Sequence, residues 1–158
     1  AAEAILNGLY MLRGTQHVDN FMWVEHTKEN IPSHELFKGI LDENSSAAFT
    51  GRIYVHKEAQ KTDAKQTNQN LLLTDTARAN TRPQLEIYAD DVKCTHGATI
   101  GQLDEQALFY LKSRGVDRVQ ARNLLIHDFA SDITERIRIP QVLDKAEELL
   151  TARLGESK

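Results

Sequence analysis

The stretch Leu85-Glu86-Ile87-Tyr88-Ala89-Asp90-Asp91-Val92-Lys93-Cys94-Thr95-His96 holds two short alternating runs around an acidic turn. Alternation of apolar and polar residues marks a half-buried strand. The pattern recurs upstream. Arg52-Ile53-Tyr54-Val55-His56 alternates with Ile53 and Val55 on one face, Leu71-Leu72-Leu73 is a continuous apolar run, and Met22-Trp23-Val24 is a further candidate. Val55 to Leu72 is 17 residues (72 − 55) and Leu72 to Ile87 is 15 (87 − 72). Turn-forming stretches lie between, Thr62-Asp63-Ala64 and Asn80-Thr81-Arg82-Pro83. Short strands recurring without helices predict a solenoid or a sandwich, and the spacing gives the solenoid a modest edge. Asn68, Asn70 and Asn80 are candidates for tight corners, where asparagine tolerates left-handed backbone angles; ordinary surface turns explain each of them as well.

From about residue 103 the character changes to helix formers. Asp104 is placed to cap a helix with Ala107, Leu108 and Leu111 on one face, and Gly115 to end it. Asp117 begins a second helix with apolar Val119, Leu124, Leu125 and Phe129. Pro140 suits the first turn of a third, with Leu143, Ala146, Leu149, Leu150 and Leu154. The expectation is a mainly β body over residues 1–102 and a small helical region over 103–158. The opening run Ala4-Ile5-Leu6-Asn7-Gly8-Leu9-Tyr10 reads as the middle of an element, so truncation at the N-terminus is expected.

Bulk properties narrow the function. With 158 residues and 41% hydrophobic content the chain can bury a core. A net charge of -4 argues against non-specific nucleic-acid binding. No apolar run reaches the roughly 20 residues of a membrane span. A single cysteine, Cys94, allows no internal disulfide and fits a reducing cytoplasm. The chain carries no phosphate loop, dinucleotide fingerprint, nucleophile elbow, C-x-x-C or H-E-x-x-H, which counts against the common enzyme classes. Asp90-Asp91, an adjacent acidic pair of the β region, gives little support to a polysaccharide-cleaving solenoid.

Cys94 and His96 are the sharpest chemical feature. In a strand they share a face, about 6–7 Å apart. Thiolate and imidazole suit zinc and iron–sulfur clusters. A small buried thiol beside a hydrogen-bonded histidine is the blander reading of so short a pattern. A cluster usually takes four side-chain ligands, so one built here would borrow from a second chain. His17, His26, His34, His56 and His127 form no ligand spacing. Met11, Met22 and Trp23 read as core or interface residues.

The blocks Ala59-Gln60-Lys61-Thr62-Asp63-Ala64, Gln69-Asn70-Leu71-Leu72-Leu73, Pro83 through Cys94, His96-Gly97-Ala98-Thr99-Ile100-Gly101-Gln102-Leu103 and Leu108-Phe109-Tyr110-Leu111-Lys112-Ser113-Arg114-Gly115 closely resemble the SufB/SufD family of iron–sulfur cluster scaffold proteins. Cys94-Thr95-His96-Gly97-Ala98-Thr99 has the form of the SufD branch, since SufB-like chains usually carry Glu where Gly97 stands and more cysteines. The resemblance implies a right-handed parallel β-helix followed by a C-terminal helical region. It implies a non-enzymatic, cytoplasmic scaffold that pairs with SufB through the β-helix and docks the ATPase SufC through its helices. It assigns His96, with Cys94 beside it, to a transient iron–sulfur cluster shared with SufB. No cofactor is expected on the isolated chain. The implied docking segment contains Asp117, Arg118, Arg122, Leu125, Phe129 and Ile133. A structural β-helix that pairs with itself and holds no metal is the alternative.

Overall fold

All the strands of the computed structural model, which describes residues 2–155, run parallel. Strands β1 (Ala4–Leu12), β3 (Ser33–Leu41), β5 (Asp63–Leu72) and β7 (Lys93–Gln102) form one sheet in that order. Strands β2 (His17–His26), β4 (Ser46–Val55) and β6 (Arg78–Ile87) form the other. Consecutive strands alternate between the sheets, so each turn contributes one strand to both. The unit is a parallel β-solenoid of about three turns, mainly β with helices following. Ala4, Ser33, Ala64 and Cys94 stack in register, which makes a turn 29 to 31 residues on the first sheet. The 15- and 17-residue spacings of the sequence are therefore half-turns. A sandwich, built from antiparallel sheets, is excluded.

The interior has two apolar clusters with a polar belt between them. Ile53, Val55, Ala59, Ala64 and Ala89 form one, with Leu85, Val92 and Cys94 against it. Leu41, Ala47 and Ala77 form the other, flanked by Tyr10, Leu12, Val18 and Leu72. The rings of Phe37 and Phe49 meet between the sheets at 5.2 Å. Along β5 the belt consists of Gln66, Asn68 and Asn70, all buried. Tyr10 donates to Asn70 Oδ1 at 2.6 Å, Asn70 Nδ2 donates to Asn68 Oδ1 at 2.8 Å, and Asn68 Nδ2 donates to the Phe37 carbonyl at 3.2 Å. Gly39 makes the room, because a Cβ there would overlap the Tyr10 ring and the Asn70 amide.

Asn68 and Asn70 are thus strand residues facing inward, and Asn80 is a strand residue facing out, not corner residues. Left-handed backbone angles fall instead at Gly14, Asn30, Glu43 and Lys61. Gly14 and Glu43 occupy one corner in successive turns, and Asn30 and Lys61 the other. The corners hydrogen-bond to each other down the stack, as in Asn44 N to Gly14 O and Asn30 N to Gln60 O, both 3.0 Å. Asp91 belongs to such a corner: its carbonyl accepts from Lys61 N at 2.6 Å and its amide donates to Gln60 Oε1 at 2.9 Å.

The second compact unit starts at Leu103. It holds α1 (Glu105–Ser113), α2 (Arg118–Thr134) and α3 (Pro140–Gly155). Asp104 caps α1 through Gln106 N and Ala107 N, and Asp117 caps α2 through Val119 N and Gln120 N. Gly115, at φ +88°, turns the chain between these two helices. The buried face of α2 is Ala121, Ile126, Ala130, Ile133 and Thr134. Val119 and Leu124, expected among its apolar positions, are exposed. The small alanines give that face a weak hydropathy signal. His127 Nε2 lies 2.8 Å from Glu147 Oε2, tying α2 to α3. Ala1 and residues 156–158, at the ends of the two expected regions, lie outside the described residues.

Candidate functional site

Strand β7 is the last strand of its sheet and pairs on one side only, with β5. In a parallel pair each strand offers half its backbone groups to each side, so an edge strand presents a free row of N–H and C=O. Except for Cys94, every residue of β7 is exposed. From Cys94 to Leu103 the sequence contains no Lys, Arg, Asp or Glu. Soluble proteins usually guard such an edge with charge, proline or a bulge. Its outward positions are Lys93, Thr95, Gly97, Thr99 and Gly101, so one charge stands at its start, and a Cβ built on either glycine meets nothing.

Cys94 and His96 do lie on one face, as the alternation predicts. They continue the inward columns of the solenoid, Cys94 above Ala64 and His96 above Gln66. Their surroundings differ. Cys94 packs against the Ile53 cluster, and burial, then Asp63, push its thiol up from its ordinary value; a hydrogen bond with the Ala64 backbone opposes them. His96 is exposed. The other five histidines each have a protein partner: Ser46 for His17, Ser33 for His26, Glu3 for His34, Glu25 for His56 and Glu147 for His127. Among the described residues His96 alone has none. Those residues contain no group of three or more His, Cys, Asp and Glu able to hold a metal ion. Cys94 and His96 offer two ligands and no more.

Beneath His96 the column continues through Gln66 and Glu35 to Leu6. Glu35 and Gln66 are 2% and 1% exposed, and Gln66 Nε2 donates to Glu35 Oε2 at 2.9 Å. Burial raises the Glu35 carboxyl above its ordinary value, against the lowering effect of the Gln66 bond. The alternation pattern did not single out these two residues. The turn length would have found them, since 31 and 30 residues separate Glu35, Gln66 and His96 (66 − 35, 96 − 66).

The residues of the expected docking segment differ in burial and in what they do for the helix. Asp117 is the α2 cap and Ile133 is buried. Arg118 is exposed, while Arg122, Leu125 and Phe129 are half-buried. Exposed apolar side chains of the unit also include Phe109, Tyr110, Val119, Leu124, Ile139, Val142 and Leu149. Among the described residues no helix is long and apolar enough to cross a membrane.

A family model described as SUF system FeS cluster assembly, SufBD core domain, matches residues 1–129. The chain is 44% identical over 133 residues to the iron–sulfur cluster assembly protein SufD of Escherichia coli, covering 84% of this chain and 31% of that protein. It is 40% identical over 145 residues to a SufBD family protein of Synechocystis, covering 92% and 32%. A Mycobacterium leprae member of the same family is 36% identical over 151 residues, covering 90% and 38%. The chain spans about a third of the length of these curated relatives. The fold, the matched core and these identities agree: the chain belongs to the SufB/SufD family of iron–sulfur cluster assembly proteins.

Proposed function

We propose that this chain is part of a SufD-type scaffold, a non-catalytic cytoplasmic subunit on which iron–sulfur clusters are assembled. The observation that carries the reading is the open β7 edge, uncharged from Cys94 onward, with His96 on its inward face. The edge offers main-chain hydrogen bonds to a strand of a second solenoid, which is recognition by strand addition. The partner in this reading is SufB. Pairing there would bring foreign ligands up to His96 and Cys94, as the ligand count demands. The nascent cluster is the cargo of the site, shared and then released. SufC docks on the helical unit, and its ATP-driven closure shifts the paired edges so that the site opens to iron and sulfur. Arg118 and the exposed apolar residues of α2 are the better candidates for that contact than Asp117 or Ile133, which serve the helix itself.

The test is cluster reconstitution in the complex with SufB and SufC, comparing wild type with His96→Ala, with assembly followed by size exclusion. Loss of cluster absorbance from an intact complex supports His96 as a ligand. Unchanged absorbance removes the ligand role and leaves a docking scaffold. A chain that pairs only with itself and leaves SufB free would favour the self-pairing solenoid.

A further inference from the structure

We infer that Gln66 positions His96: its side-chain carbonyl, held from below by Glu35, is the acceptor that orients the imidazole when the site is filled. The inference rests on the reading of His96 as a cluster ligand. It begins with a column that is costly to build. Positions 6, 35, 66 and 96 are successive inward positions of one sheet, and another inward column of that sheet, three columns along, is Leu12, Leu41 and Leu72. Leucine would therefore suit the geometry at 35 and 66. A buried carboxyl and a buried amide stand there instead, and burying polar groups is unfavourable unless they are satisfied.

They are satisfied only in part. The Gln66 amide spends its N–H on Glu35. Gln66 Oε1 and Glu35 Oε1 are buried with no partner among the described residues. With the nitrogen of the amide committed to Glu35, its carbonyl oxygen is the end left for another donor. The opposite sheet yields space for this arrangement. Gly51 faces the amide, and a Cβ on it would overlap Gln66 Oε1 and Nε2. The next residue up the column is His96, the one histidine without a partner. The residue that carries this orphan acceptor is thus the register partner of the residue that carries the unpaired imidazole, on strands about 4.8 Å apart. A ligating histidine usually donates its second ring N–H to such an acceptor, which fixes the tautomer and aims the other nitrogen at the metal. Here the fixed nitrogen would face inward and the free one the open edge.

The experiment uses the reconstituted complex with SufB and SufC. Two quantities are read: the rate at which a chelator removes the cluster, and the histidine-nitrogen coupling of the reduced cluster in pulsed EPR. Gln66→Met removes the acceptor at similar volume. Gly51→Ala displaces the amide without touching it, and reads the same arms if the methionine variant fails to assemble. Both should assemble, lose cluster roughly 10–100-fold faster and show a weakened nitrogen coupling. The double exchange Glu35→Gln with Gln66→Glu keeps an acceptor under His96 and should restore both. If both single variants match wild type while His96→Ala abolishes the coupling, the positioning role is wrong and the ligand reading stands. If His96→Ala itself leaves the coupling intact, the ligand reading fails and the positioning role falls with it.

Discussion

Strands β5 and β7 are neighbours in one sheet with the same inward alternation, yet their inward residues live in different worlds. In β5, Ala64, Gln66, Asn68 and Asn70 are all buried. In β7, the residues stacked on them, Cys94, His96, Ala98 and Ile100, are exposed but for half-buried Cys94. Orientation does not cause the difference. β5 has a strand on both sides, whereas β7 has β5 alone; the other edge strands, β1, β2 and β6, still keep half-buried inward residues, so β7 is the most open edge. The chain has written each for its place: β5 holds interlocking amides, and β7 from Cys94 onward holds uncharged, mostly small residues and one unpaired histidine.

The largest test of this contrast is truncation. Phe49→Ala, at 1% exposure in the middle turns, should cost about 3–5 kcal/mol. Ile100→Ala, at 47% exposure on β7, should cost under about 1 kcal/mol in the chain alone. Urea unfolding followed by far-UV circular dichroism reads both. Equal losses would mean that β7 is as deeply packed as the middle turns. Next comes the belt. Asn68→Ala removes bonds to Asn70, Tyr10 and the Phe37 carbonyl and should cost about 1–3 kcal/mol, whereas Thr99→Ala on the outer face of β7 should be near neutral.

A smaller effect is expected in the helical unit. Asp117→Ala should lower its stability by about 1 kcal/mol, because two amides lose their acceptor. Thermal unfolding of the helical signal checks this, and an unchanged transition would restore Asp117 to the docking candidates. The subtlest test concerns Glu35. Its folded pKa lies above the ordinary 4.5, so its contribution is intact below that value and is lost as pH rises through the raised one. Glu35→Gln keeps an acceptor for Gln66 and should stabilise the chain at pH 7 but not at pH 4. A gain of equal size at both values would show that ionisation of Glu35 is not what it relieves.

Much of this was legible beforehand. Ile53 and Val55 share a buried face because their alternation says so, and Asp104, Asp117, Gly115 and Pro140 punctuate the helices through local chemistry. The far half of β7 was not legible. Beyond His96 the strand carries glycine, alanine and threonine with a single large apolar residue, Ile100, and so leaves no alternating signal. The belt asparagines were misassigned because polarity alone suggests a turn. Only the register, a long-range property, shows that Asn68 and Asn70 have Tyr10 to bond. Cys94 and His96 stood out by residue type, whereas Gln66 and Glu35 are ordinary residues until the turn length stacks them.

Amide hydrogen exchange along β7, in the chain alone and mixed with SufB, tests the central claim most directly. Amides between Lys93 and Gln102 that face away from β5 should exchange fast in the chain alone and become protected with SufB, while those of β5 stay unchanged. Fast exchange of the same amides in a mixture that has demonstrably formed a complex would contradict it, and the β7 edge would not be the pairing surface.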